Sequence, residues 1–96
     1  VSALAVQVDI REETQIANAI QQTVDKFGGI DILINNASAI QLTDTEHTPS
    51  KRFDLMQSIN VRGTFLVVQH ALPYLRKPRT VTECGCKPTV QTNRLI

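Results

Sequence analysis

The sequence has almost no excess of either charge: ten Lys and Arg stand against nine Asp and Glu, leaving +1 over 96 residues. That near-balance removes the electrostatic case for a nucleic-acid or anionic-membrane partner. Long apolar runs are missing too, so no segment reaches the roughly 20 residues that span a bilayer. No charged-then-apolar leader opens the chain, which leaves the compartment open, with an intracellular, cytoplasmic setting as the default. Cysteine is scarce, with only Cys84 and Cys86, one residue apart. A bridge across so short a separation is strained, and two ligands do not complete a zinc site. They read as free thiols in a loose tail. An initiator methionine is also lacking: Val1 lies inside an apolar run, as expected of a piece of a longer protein.

What is present is ordinary for one small globular domain, with 42% hydrophobic and 20% charged residues. Ala3 to Asp9 is a mostly apolar run ending in an acid and predicts a buried strand. Glu12 to Phe27 predicts an amphipathic helix, because Ile16, Ile20, Val24 and Phe27 share one face. Acids in its first turn and Lys26 in its last complement the helix dipole. Gly28-Gly29 ends it, glycine being the residue that accepts the left-handed C-cap. Ile30 to Asn35 is a second, β-branched strand.

Ala37 to Thr48 is polar and aperiodic, a loop. Thr48-Pro49 predicts a helix start, with a hydroxyl cap and Pro at the first helical position. A long helix is then expected from Ser50 to Lys77, with Phe53, Met56, Asn60, Gly63 and Val67 on its buried stripe. Pro73 predicts a kink or early stop. Residues 1–77 form one unit, and residues 78–96 read as a divergent, irregular tail. The expected architecture is α/β with a parallel sheet: strand, helix, strand, long helix, tail.

Two features violate local preference. A short apolar strand ends in Asn35-Asn36-Ala37-Ser38, and Asn60 interrupts an apolar helix although its amide competes for the backbone. Chemistry overrides packing at such positions. With Asn60-Val61-Arg62-Gly63-Thr64, these phrases resemble the classical short-chain dehydrogenase/reductases, and within them the hydroxysteroid dehydrogenase-like subgroup. The resemblance covers residues 1–77 and implies a partial Rossmann fold, a doubly wound parallel sheet. It also implies NAD or NADP as coenzyme and hydride transfer to or from a small-molecule carbonyl or secondary alcohol. A homo-oligomer paired through the long helix is implied as well.

The resemblance places Asp9 and Ile10 beside the adenine, the carboxylate accepting from its amino group and the Ile10 N–H donating to the ring. For Asp9 a helix-capping role stands beside this one. Asn35, Asn36, Ala37 and Ser38 match the family's Asn-Asn-Ala-Gly at the coenzyme, the two amides also bracing neighbouring strands. Ser38 replaces the glycine, adding a side chain and restricting the backbone. Asn60 matches the catalytic Asn, which implies a local helix break and a carbonyl that holds a water of the proton relay. The alternative is an amide bonded to neighbouring backbone.

Other parts of the family pattern have no counterpart. No glycine precedes Gly28, so the Gly-x-x-x-Gly-x-Gly turn that seats the pyrophosphate is missing. The residue that selects NAD or NADP, the catalytic Ser and the Tyr-x-x-x-Lys are missing too. Tyr74 and Lys77 are three apart, not four, and do not replace that pair. His47 and His70 read as surface or packing residues, Lys51-Arg52 as a solvated face, and the Asn36-Ala37-Ser38 sequon as accidental. In the family's strand order 3-2-1-4-5-6 the two strands expected here are the third and fourth, which are not neighbours. Such a chain should show no turnover alone. The other reading is a non-catalytic polypeptide that associates with a full-length relative through the long helix, or has no function.

Overall fold

A computed structural model describes residues 2–77 and 89–92. Helix α1 spans Glu13–Phe27 and buries Ile16 and Ile20. It ends as its glycines require: Gly28 has φ 82°, and its N–H donates to the Val24 carbonyl at 2.7 Å. Strand β1 (Ile32–Asn35) follows, shorter than expected, although Ile30 just ahead of it is a core residue.

The first expected strand does not form. Residues 3–9 make no ladder, although Val8 packs on the core and Lys26 Nζ donates to the Ala3 carbonyl at 3.0 Å. A strand exists only when a neighbour accepts its backbone bonds. The neighbour of β1 is a different segment, β2 (Thr89–Thr92), which lies parallel to it with Ile32 opposite Thr89 and Asn35 opposite Thr92. The expectation of an irregular tail is therefore overturned at residues 89–92. The physical reason is β-branched sequence (Thr-Val-Gln-Thr) meeting the open edge of β1. The rest of that expectation, residues 78–88 and 93–96 with both cysteines, lies outside the described residues.

The long helix forms as three segments in one line: α2 (Ser50–Gln57), a π-helical turn (Ser58–Gly63) and α3 (Thr64–Leu75). Its start differs from expectation. Pro49 is the N-cap and offers no side-chain cap, because the Thr48 hydroxyl donates instead to the Asp44 carbonyl at 2.6 Å. Pro73 does not stop α3, which continues to Leu75. The expected buried stripe holds at Gly63 and Val67, is half-buried at Met56, and fails at Phe53 and Asn60. Ile59, Gly63, Leu66, Val67 and Ala71 face inward, whereas Phe53 and Asn60 are exposed. A π turn takes extra residues per revolution, so α-helical spacing does not carry the inward face of Gly63 and Val67 back through Asn60 to Phe53. None of the described helices is long and apolar enough to cross a membrane.

Ile10, Ile16, Ile20, Ile30, Ala37, Ile59, Leu66, Val67 and Ala71 form one core. It joins α1, the chain on either side of β1, the π turn and α3. Fully burying one such Ile side chain contributes about 1.5–3 kcal/mol.

Candidate functional site

The core brings two chain turns together. One is Asp9-Ile10-Arg11, leading into α1, and the other is Asn36-Ala37-Ser38, leaving β1. Ile10 and Ala37 share the buried cluster, while Asn35, Asn36 and Ser38 are exposed beside it. Open α/β sheets bind ligands outside the carboxyl ends of their strands, which is where the second turn lies. No non-glycine residue among those described has positive φ, so Ser38 replaces the family's glycine without left-handed strain.

The first turn is almost fully bonded within itself. The Asp9 N–H donates to Gln15 Oε1 at 2.8 Å and the Arg11 N–H to Asp9 Oδ1 at 3.0 Å. The Glu12 N–H donates to the Asp9 carbonyl at 3.0 Å. The Arg11 guanidinium grips the Asp9 carboxylate through Nε at 3.0 and 3.1 Å and through Nη2 at 2.6 Å. That hydrogen bonding, followed by the attraction of the Asp9 charge, raises the Arg11 pKa above its already high ordinary value. The N–H of Ile10, a residue only 5% exposed, finds no acceptor among the described residues. A donor left over at a buried position calls for a ligand atom or water.

Asp9 does not cap α1. The N-cap is Glu12, without a side-chain bond, and the Asp9 carboxylate is committed to Arg11. Its capping contribution comes from the backbone, as the carbonyl that receives the Glu12 N–H.

Asn60 sits in the π turn, a break in α-helical geometry at the residue where one was implied. Its side chain pairs with both backbone groups of Ala39: the Ala39 N–H donates to Oδ1, and Nδ2 donates to the Ala39 carbonyl, each at 2.8 Å. The amide thus fixes the chain just after Ser38. Nothing in the sequence signalled Arg62, whose Nη1 donates to the Arg11 carbonyl at 3.0 Å. Gly63 beside it is needed small: a Cβ there would lie 2.6 Å from Ile10 Cδ1 and 3.2 Å from the Ile10 carbonyl oxygen. Gln15 is the other residue that sequence reading missed, a helix-surface amide whose partner only the fold supplies.

The remaining candidates lie apart. His47, exposed in the loop, has Nδ1 2.6 Å from Asp44 Oδ1, and His70 Nε2 lies 3.0 Å from Glu13 Oε1 across α1 and α3. Lys77 sits over the Tyr74 ring at 5.1 Å from its centroid, a cation–π contact. A shallow groove of about 360 Å³ is lined by Phe53, Asp54, Gln57, Ser58, Val61 and Arg62. It includes none of residues 9–11 or 36–38, and its shallowness makes it a surface face rather than a reaction chamber.

Comparison with known proteins gives a consistent result. Residues 1–81 match the short chain dehydrogenase family. The chain is 48% identical over 93 residues to hydroxysteroid dehydrogenase-like protein 2 of Bos taurus, covering 97% of this chain and 22% of that protein. To the protein of the same name in Xenopus tropicalis it is 50% identical over 91 residues, covering 95% and 22%. The crystal structure of a putative dehydrogenase from Xanthomonas campestris superposes with a TM-score of 0.72 at 61% identity, covering 75% of this chain and 27% of the other. The chain thus spans about a fifth of the length of the curated relatives it matches.

Proposed function

Since the chain belongs to the short-chain dehydrogenase family of NAD(P)-dependent oxidoreductases, we propose that it supplies the adenine-side part of a coenzyme site and one element of a proton relay. The observation that carries this reading is the Ile10 N–H, the one backbone N–H of the Asp9–Glu12 turn left without a partner among the described residues. Asp9 stands beside it as an acceptor, its carboxylate held by Arg11. An adenine edge offers the complementary pair, a ring nitrogen that accepts and an amino group that donates. Asn35, Asn36, Ala37 and Ser38 border the ribose and nicotinamide side, the small Ala37 and Ser38 allowing close backbone approach. Asn60 has two roles here. Its side chain fixes Ala39, and its backbone carbonyl, in the π turn, holds a water that passes a proton toward the reacting oxygen.

When bound, the nicotinamide supplies or accepts the hydride exchanged with a carbonyl or secondary alcohol. The chain itself binds and orients; it lacks the Ser and the Tyr-x-x-x-Lys that complete the proton transfer, so it has no turnover alone. The test is a titration with AMP and with NADH, followed by the amide resonance of Ile10. Adenine nucleotides at millimolar concentration are expected to shift it, and an unmoved resonance overturns the adenine assignment. Carbonyl reduction by the chain that vanishes in Asn60→Ala would overturn the inactivity.

A second reading is favoured by one observation. Phe53, Val61 and Phe65 are 53%, 60% and 61% exposed along the long helix, the first two lining the open groove. So apolar a face suits pairing with the same helix of a second copy or of a longer relative, forming an oligomer.

A further inference from the structure

The Asp9–Glu12 turn and the π turn that carries Asn60 are tied together by a residue with no role so far. Arg62 lies in the π turn, two positions after Asn60, and reaches 51 residues back along the chain to the carbonyl of Arg11. Its neighbour Gly63 admits Ile10 so closely that a methyl group there would meet both the Ile10 side chain and its carbonyl oxygen. Adjacent residues of one helical turn thus grip adjacent residues of the other turn, one by a hydrogen bond and one by van der Waals contact. The carboxylate of that turn, Asp9, is already gripped by Arg11 and does not compete for Arg62. The Arg62 charge is therefore spent on a backbone carbonyl, an arrangement that fixes geometry rather than balances charge.

We propose that Arg62 is a positioning residue: by holding the Arg11 carbonyl it sets the direction of the Ile10 N–H and locks the adenine-side turn to the turn carrying Asn60. The assignment of a ligand to Ile10 rests on the function proposed above, whereas the tether itself does not. The peptide plane that contains the Arg11 carbonyl adjoins the one that contains the Arg11 N–H, which donates to Asp9. Releasing the carbonyl therefore loosens the Arg11 N–H bond to Asp9 and, through that plane, the next one, which carries the Ile10 N–H. Asn60 reaches Ala39 by separate bonds, so that clamp should survive the loss of Arg62.

The experiment compares amide hydrogen exchange in the chain with that in Arg62→Ala and Arg62→Lys. One backbone hydrogen bond lost from an exposed site is worth roughly a two- to tenfold change in local opening. Exchange at Arg11 and Glu12 is expected to rise by that factor in Arg62→Ala, with Ala39 unchanged, and to return toward the parent rate in Arg62→Lys. Equal exchange at Arg11 and Glu12 in all three proteins overturns the tether, and so does a uniform rise that includes Ala39. An AMP titration read at the Ile10 resonance then separates the two levels. Weaker binding in Arg62→Ala with recovery in Arg62→Lys supports positioning of the ligand donor. Unaltered binding overturns that part. No binding by the parent chain overturns the adenine assignment, and the exchange rates then decide the tether by themselves.

Discussion

Asn60 and Ala39 face one another as two strands would: the amide of one side chain takes the N–H and the C=O of one backbone residue, both at 2.8 Å. An amide is the side chain that can do this, because it carries a donor and an acceptor at the spacing of a peptide. The contact ties the chain leaving β1 to the π turn 21 residues later. It also explains why an Asn stands where helix propensity disfavours one: the cost is offset by pairing a loop that has no ladder of its own.

Asn60→Ala removes both bonds and leaves two Ala39 groups to water, and is expected to cost about 1–3 kcal/mol of stability. Urea denaturation measures it. Asn60→Asp keeps the acceptor and loses the donor, so its stability should fall between that of the parent and that of Asn60→Ala. Equal stability of all three proteins would contradict the clamp.

Gly63→Ala should destabilise by about 1–3 kcal/mol, since the added methyl group overlaps Ile10 and forces the turn outward. Combined with Ile10→Ala, the effects should fall short of their sum, because the second change removes the side chain that the first one meets. Strict additivity in a double-mutant cycle would show that the close approach is not what requires the glycine.

The helix face interrupted at the π turn gives a contrast within a few residues. Ile59 is fully buried and Phe53 half exposed, so Ile59→Ala should cost about 2–5 kcal/mol. Phe53→Ala should lie within about 0.5 kcal/mol, as surface changes do. Thermal denaturation of the two variants distinguishes the π-turn phase from an unbroken α-helix, which would bury Phe53.

If the exposed Phe53, Val61 and Phe65 pair between copies, Val61→Asp and Phe65→Asp should shift sedimentation toward monomer while sparing the circular dichroism spectrum. A parent chain that is monomeric at hundreds of micromolar would remove the pairing between copies, and failure to co-purify with a full-length relative would remove the rest of the association reading.

Parts of the fold, and the residues proposed for the site, were named from the sequence for reasons that differ from residue to residue. The turn at Gly28 was readable because only glycine adopts positive φ without strain, and α1 because a buried stripe leaves a period. The positions of Asp9, Ile10 and Asn35–Ser38 followed from matched phrases. The bonds that define them did not. That Asp9 would face Arg11 and not cap α1, and that Gln15 would take its N–H, depend on side-chain directions that spacing does not specify. The strand expected at Ala3–Asp9 and the irregular tail at Thr89–Thr92 exchanged roles for one reason: a strand is defined by its neighbour, and a neighbour is a tertiary fact.

The sequence by itself determined the family, the α1 helix, the glycine stop and the positions where polar residues interrupt apolar elements. These rest on local energetics and on residue order, both carried by the chain as written. Tertiary structure alone decided which segment pairs with β1, that the π turn takes Phe53 and Asn60 off the inward face, and that Arg62 and Gly63 close on Arg11 and Ile10. Those outcomes join residues some 50 positions apart, and the free energy of such contacts exists only once the core has brought the two turns within a hydrogen bond of each other.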